Sequence, residues 1–463
     1  MTIAPDHYAQ LARQVVSGRK WMVAMDVLAG TTRTVNLLEE FGAKRSFVIG
    51  TSRGVGRIPT DEQAEVALLD VRATSLMAGI RKAEHALNNL SAETIARVDA
   101  WDPDHTAQVI STIFSGGKPI AGRRILGARP LSWQALEDKT VIDALWDAAG
   151  VARAPYRVVR IADLAQAAPE LDQGLGTVWA GDSRAGFHGA ATYLRWVRTP
   201  EDAIAAAAFL ADDCDTARIM PFMEGIPCSI HGIVFPDYVV ALRPCEMLVL
   251  RRPGDSRLTY AKAATFWDPQ DVDASQMRAI ARRVGEHLRA SVGYRGAFTL
   301  DGIMTVDGFR PTELNPRFGA ALGVLTKGIP NLPLNLLNQL IVEGHDLDFR
   351  PQALEQLILG HANIRRFGVA SAMSTTGVTE TLEVDGVFEG DVWREAHSGE
   401  ERDGQFILGP SAMGSYLMVV LEPDRTPVGP SVAPRSAAAL AFADERWSLG
   451  LGPLEPAKEV RGR

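Results

Sequence analysis

The sequence predicts a multidomain protein of mixed α/β and α+β class: an N-terminal α/β domain over residues 1–130, a larger α+β region over 131–350 and a small strand-rich C-terminal domain over 351–463. Three observations carry this. At roughly 150 residues per domain, 463 residues allow about three domains, each with enough chain to bury a core. The first third alternates apolar strand-like runs with helical patterns, the order that builds a parallel sheet. Beyond residue 350, alternating segments suggest short strands.

In chain order, Trp21 to Leu28 reads as a strand, Thr32 to Phe41 as a helix and Arg45 to Gly50 as a second strand, a parallel βαβ opening. Thr74 to Leu90 carries Leu76, Met77, Ile80, Ala83 and Leu87 at helical spacing, which gives one apolar face for that sheet. Asp138 to Ala149 repeats the spacing with Val141, Ile142, Leu145 and Trp146, and Gly150 stands where a helix-ending glycine belongs. Tyr156 to Arg160 is a short strand. Gly176 to Arg198 reads as strand, Gly-rich turn and strand, followed by a helix near Asp202 to Leu210 and apolar, strand-like chain from Ala217 to Pro236. Gly377 to Val384 and Tyr416 to Leu421 alternate, and an Ala-rich helix near Ala437 to Ala443 follows them.

Composition narrows the function classes. Lys plus Arg is 48 against 56 Asp plus Glu, a net charge of -8, so no long-range field draws in nucleic acid or an anionic membrane. Cys214, Cys228 and Cys245 are too few and too far apart for a disulfide framework or a zinc knuckle, and a reducing cytoplasm is expected. The first twenty residues lack an apolar signal core, and no run reaches ~18 apolar residues. Walker, zincin and nucleophile-elbow motifs are absent from the sequence.

The most specific segment runs from Tyr294 to Gly323, YRGAFTLDGIMTVDGFRPTELNPRFGAALG. It predicts two strands joined by a turn at Asp307 and Gly308. Asp301 on the first strand and Glu313 on the second can share a face, and the period of two adds Asn315 to it. Two carboxylates and an amide oxygen are hard ligands suited to Mg²⁺, which usually also keeps water and phosphate oxygens. Arg317 extends the same face with a planar cation suited to a phosphoryl group. Asp307 is read as an ordinary turn acid.

This segment strongly resembles the metal-binding hairpin of ATP-grasp ligases, whose second strand reads acid-x-Asn-x-Arg. The resemblance implies a pre-ATP-grasp N-terminal domain, a two-subdomain ATP-grasp fold and a C-terminal domain. It implies ATP and Mg²⁺ as cofactors, with Asp301, Glu313 and Asn315 on the metal and Arg317 at the reacting phosphoryl group. Leu136 to Val151 is similar to the helix that opens with Asp-Lys in such ligases, so Lys139 would contact phosphates. GDSRAGFHGAA falls at the position of the glycine-rich flap, where Gly181, Gly186 and Gly189 would admit phosphate oxygens. The usual lysine on the preceding strand is absent, since Val178, Trp179 and Ala180 stand there; either Arg184 or a distant residue such as Lys262 would supply the charge, or phosphate handling is altered. RIMPFMEGIPCSI resembles the linker that pairs with adenine, with Met220, Phe222 and Met223 as apolar walls and Glu224 in place of the usual ribose-binding acid. Arg243, Glu246, Arg251 and Arg252 gather charge between linker and hairpin, and Arg243 and Arg251 are the candidates there for substrate or phosphate contact. His188 and His231 are the suggestive histidines.

A competing motif is Gly50-Thr-Ser-Arg-Gly-Val-Gly56, which imitates a dinucleotide fingerprint; Arg57, Ile58 and Pro59 interrupt the helix that should follow it. The implied reaction is ATP-dependent joining of a small-molecule carboxylate to an amine through an acylphosphate, releasing ADP and phosphate. GIPCSIHGIVFPD and ALRPCEMLVLRRP look similar to peptide ligases of the pheganomycin-forming type. Another ATP-grasp ligase, a carboxylase-like enzyme and a nucleotide-binding regulator without turnover stand as alternatives. Neither nucleic acid nor membrane is expected as a partner, and a homo-oligomer is left open.

Overall fold

A computed structural model describes residues 5–111, 117–184, 189 and 191–461. The chain opens on a parallel sheet of four strands, β1 (Trp21–Val27), β2 (Ser46–Ser52), β3 (Ala64–Leu68) and β4 (Gln108–Ser111), in the order β3-β2-β1-β4. Every residue of β2 is buried, as a central parallel strand covered on both faces requires. The helix Leu28–Glu40 makes the first crossover, so the βαβ opening is as expected, with the helix starting four residues early. No helix follows Gly50 to Gly56: the next element is β3, and Gly54, at φ +75, lies where a Cβ would strike Val27. Gly50 and Gly54 serve packing against Leu28 and Val27, and the turn leaves no helix N-terminus for a pyrophosphate.

A second, antiparallel sheet is made of β5 (Arg157–Arg160), β6 (Thr177–Gly181), β7 (Leu194–Val197) and β8 (Thr216–Pro221), in the order β5-β8-β6-β7. The helix Pro200–Asp213 packs on it, with Thr199 capping its N-terminus through Asp202 N–H.

The third sheet holds eleven strands among the described residues. These are β9 (Ile226–Val234), β10 (Val239–Ala241), β11 (Cys245–Arg251), β12 (Leu258–Ala264), β13 (Gly296–Thr305), β14 (Gly308–Asn315), β15 (Gly368–Ser374), β16 (Leu382–Glu389), β17 (Val392–Glu395), β18 (Gly404–Ser411) and β19 (Gly414–Leu421). The order is β14-β13-β9-β11-β12-β15-β19-β18-β16-β17, with β10 on β9. Strands of the C-terminal third therefore continue the central sheet through the β12–β15 pairing. The helix Asp271–Val292 covers β9 and β10, burying Met277, Ile280, Ala281, Val284 and Leu288 along one stripe, and Gly293 ends it in the left-handed conformation.

The helix expected from Asp138 starts only at Ile142, because Asp138 first accepts the N–H and hydroxyl of Thr140 in a side-chain turn. Gly150 ends the helix at φ +64, as its position predicts. No helix among the described residues is long and apolar enough to cross a membrane.

Candidate active site

The β13–β14 hairpin is built as the sequence pattern requires, with one shift. Its two-residue loop is Val306-Asp307 and Thr305 pairs with Gly308, so the turn sits one residue earlier than expected. Both loop residues keep negative φ while Gly308 takes φ +95, the form in which a left-handed glycine restarts the strand.

Directly opposed residues in antiparallel strands share a face. Asp301 faces Glu313 on one side and Ser229 of β9 on the other, while Thr299 faces Asn315 and His231 in the neighbouring row. Two cross-strand rows, Ser229-Asp301-Glu313 and His231-Thr299-Asn315, thus floor one region of the sheet. Ser229 Oγ donates to Asp301 Oδ1 at 2.6 Å, and Asn315 Nδ2 donates to Asp301 Oδ2 at 2.8 Å. Asn315 Oδ1 accepts from Arg317 at 2.8 Å, and Arg317 Nε meets Glu137 Oε2 at 3.1 Å. Lys139 reaches across from the second region of the chain and places Nζ 2.9 Å from Glu313 Oε1.

Burial, and next the charge of Glu313, push the Asp301 carboxyl well above its usual range. This strain is what a divalent cation would relieve. Among the described residues no group of three or more His, Cys, Asp or Glu forms a metal cage. Asp301, Glu313 and Asn315 instead make a partial hard-oxygen set, the kind Mg²⁺ completes with water and phosphate. The residues present fit that ion. His231, 1% exposed, has its pKa pulled down to about 3 by burial, so its imidazole is neutral; its Nε2 lacks a hydrogen-bond partner.

These rows open into a cavity of about 300 Å³ between the second sheet and the central one. Lys139, Asp301, Glu313, Asn315, Arg317 and Gly189 all line it. So do Met220, Phe222 and Met223 of the linker, with Val178 beside them as apolar wall. Gly186 and His188 lie outside the described residues.

Five expectations need correction. Arg184 lies away from the cavity: its guanidinium pairs with Asp215 at 2.7 Å and caps the carbonyls of Ala211, Asp212 and Cys214 at the end of the helix Pro200–Asp213. Gly181 is small because a Cβ there would come within 2.6 Å of Cys214 Sγ, so it admits that helix rather than a phosphate. Glu224 and Arg251 hold each other in a two-pronged pair, Arg251 Nη1 to Glu224 Oε2 at 3.0 Å, and neither lines the cavity. Arg251 also lies over Phe222, which stacks on Trp196 at 4.0 Å between ring centroids, so the pair braces the linker from behind. Arg243 bonds Asp268, Asn363 and the Trp267 carbonyl, again outside the cavity.

Lys262 lies beside Asp26 and over the Tyr416 ring and does not supply the missing charge. Among the described lining residues Lys139 and Arg317 are the only lysine or arginine. The sequence reading missed Ser229, Thr299 and Glu137 as members of the network. The period of two on β9 and β13 was the available signal for the first two. A further buried pair, Asp143 with Arg218, ties the short helix to the second sheet, and Arg218 also donates to the Thr312 carbonyl of the hairpin at 3.0 Å.

No protein-family model matches the chain, and no curated protein matches its sequence. Solved structures do. The biotin carboxylase domain of a 2-oxoglutarate carboxylase from Hydrogenobacter thermophilus, solved as a dimer with MgADP, ADP and bicarbonate, is 13% identical with a TM-score of 0.52, over 94% of this chain and 91% of that one. A pyruvate carboxylase from Rhizobium etli, solved with its allosteric activator acetyl coenzyme-A, is 14% identical with a TM-score of 0.52, over 94% of this chain and 40% of that one. At these identities the likeness concerns the fold, and it agrees with the hairpin: this chain has the ATP-grasp fold.

Proposed function

We propose that this protein is an ATP- and Mg²⁺-dependent carboxylate–amine ligase that forms an amide or peptide bond through an acylphosphate. The observation that carries the reading is one cavity lined both by the Met220–Met223 linker and by Lys139, Asp301, Glu313, Asn315 and Arg317. In the first half-reaction an oxygen of the substrate carboxylate attacks the γ-phosphorus of ATP, and the bond from that phosphorus to the ADP oxygen breaks. In the second an amine nitrogen attacks the acylphosphate carbonyl, phosphate leaves, and the nitrogen proton passes to solvent. Lys139 exchanges Glu313 for phosphate oxygens when nucleotide enters, and Arg317 presents its planar fork to the moving phosphoryl group. Mg²⁺ held by Asp301, Glu313 and Asn315 would neutralise the charge on that group. The linker walls accept the adenine, with backbone groups near Met220 to Met223 at its polar edge. The Hydrogenobacter domain was solved with bicarbonate, which favours a carboxylase-like use of the same site as the second reading. Three free, buried cysteines support a reducing cytoplasm as the place of action.

The test is ADP release with ATP, Mg²⁺ and pooled amino acids and short peptides, followed by a search for an amide product by mass. Release driven by an organic carboxylate, with trapping of the acyl group by hydroxylamine, supports the ligase. Release driven by bicarbonate alone favours carboxylation, and ATP binding without release under either condition favours a regulator.

A further inference from the structure

A second cavity, of about 180 Å³, shares Arg317 with the first. It lies at the carboxyl ends of the neighbouring parallel strands β1 and β4, where Met25 and Ser111 line it. That crevice is where open α/β sheets bind ligands.

Its opposite wall is the helix Leu334–Glu343, which presents Asn335, Asn338, Gln339 and Val342. Their spacing of i, i+3, i+4 and i+7 is one helix face. A buried helix face ordinarily carries apolar side chains; this one buries two carboxamides, Asn338 and Gln339, while Asn335 is exposed at its edge. Asn338 has an internal role, since its Oδ1 accepts the Ala297 N–H at 2.7 Å. Gln339 differs: it is 8% exposed, and its Oε1 has no hydrogen-bond partner. A buried acceptor left unmade is costly, and a ligand N–H would satisfy it.

The cavity's charge is equally specific. Arg129 and Arg317 both line it, and both pair with the same carboxylate, Glu137, at 2.6 and 3.1 Å. Arg129 also donates to the Pro316 carbonyl at 3.0 Å. With two arginines and no Asp, Glu or Lys among the described lining residues, the cavity favours an anion. Phe318 and Val342 supply apolar wall. At about 180 Å³ the space is smaller than the ~300–1,000 Å³ of a drug-sized site and suits a small molecule.

We propose that this second cavity is the pocket of the carboxylate substrate and that this substrate is an amino acid, its carboxylate on Arg317 and Arg129 and its amino group on Gln339 Oε1. The inference rests on the ligase reading for its chemistry, because a carboxylate on Arg317 stands beside the Glu313–Asn315 region where phosphoryl transfer would occur. Bicarbonate alone would leave Gln339 and the apolar walls unused.

The probes are the twenty L-amino acids and the deaminated acids of the same carbon skeletons, titrated calorimetrically into the full-length protein with ADP and Mg²⁺. At least one amino acid with an apolar side chain should bind, and at least ~10-fold more tightly than its deaminated counterpart, the scale of a hydrogen bond to a buried group. Gln339→Met keeps the length of the side chain without the acceptor and should erase that preference, while Gln339→Glu should restore it. Absence of binding by all twenty, equal affinity for the deaminated acid, or an unchanged preference in folded Gln339→Met overturns the proposal. If an amino acid binds with this dependence on Gln339, yet neither ADP nor an amide product forms when ATP replaces ADP and amines are supplied, the pocket stands and the ligase reading falls.

Discussion

Lys139 contacts Glu313 at 2.9 Å, yet both residues belong to the machinery proposed for phosphate and metal. In the absence of nucleotide the pair is self-consistent: the ammonium offsets one of two crowded carboxylates. On the proposed reading, nucleotide with Mg²⁺ would separate them, each finding a partner of higher charge. Lys139→Ala should therefore weaken ATP binding by roughly 1.5–3 kcal/mol, the range of a charge-assisted hydrogen bond, as read by calorimetry. Arg184→Ala is the contrasting variant. Its guanidinium caps carbonyls at a helix end, so a small drop in melting temperature with unchanged ATP affinity is expected. Equal losses of affinity in the two variants would return Arg184 to the phosphate site. Catalysis is tested separately. Glu313→Gln keeps the shape but removes a charge, and should slow ADP release more than about 100-fold. Asp307→Asn, in the hairpin loop beyond the site face, should leave the rate nearly unchanged, and comparable losses at both positions would misplace the metal site.

At the scale of elements, the hairpin was legible because strand periodicity is local: Asp301, Glu313 and Asn315 follow from counting along two strands. The turn was displaced by one residue because Asp307 and Gly308 form a good turn pair by composition, whereas Gly308 is needed at φ +95 to restart β14. Gly308→Ala should cost about 1–2 kcal/mol in denaturant unfolding, the price of a Cβ in the left-handed region; a ΔΔG near zero would mean the strand restarts another way. The arginines were not legible. Arg184, Arg243 and Arg251 each have partners fixed by tertiary folding, such as Asp268 for Arg243 and Glu224 for Arg251. Nothing in the spacing of one chain segment distinguishes such a brace from a substrate contact. The carboxamides of the helix Leu334–Glu343 were present in the sequence as NLLNQ, but only the burial of Asn338 and Gln339 shows that these two are unusual.

Across the whole molecule, β11 joins the β9 side of the central sheet to β12 and the C-terminal strands, and Glu246 on β11 secures the last helix. Its side chain is fully buried. One carboxylate oxygen accepts the Val432 N–H at 2.9 Å and the other the Ser431 hydroxyl, at the start of the helix Ala433–Trp447. Those bonds favour the ionised form, but burial outweighs them and lifts the carboxyl to about 7. The folded state consequently holds this proton more tightly than the unfolded chain, whose ordinary value is 4.5. The associated stability is fully present below 4.5 and is lost as pH rises through about 7. The difference amounts to roughly 3–4 kcal/mol at ~1.4 kcal/mol per pH unit. Glu246→Gln keeps an acceptor for the Val432 N–H and replaces the oxygen that accepts from Ser431 by an amide nitrogen that can donate to Ser431 Oγ, while removing the charge. It should be more stable than the parent at pH 8, and the gap should close as pH falls to 5. Urea midpoints measured across that range isolate the effect of Glu246 from every other titrating group, because only the difference between the two proteins is read. Parallel profiles would mean that the carboxyl titrates at its ordinary value and that the join between the central sheet and the last helix is open to water.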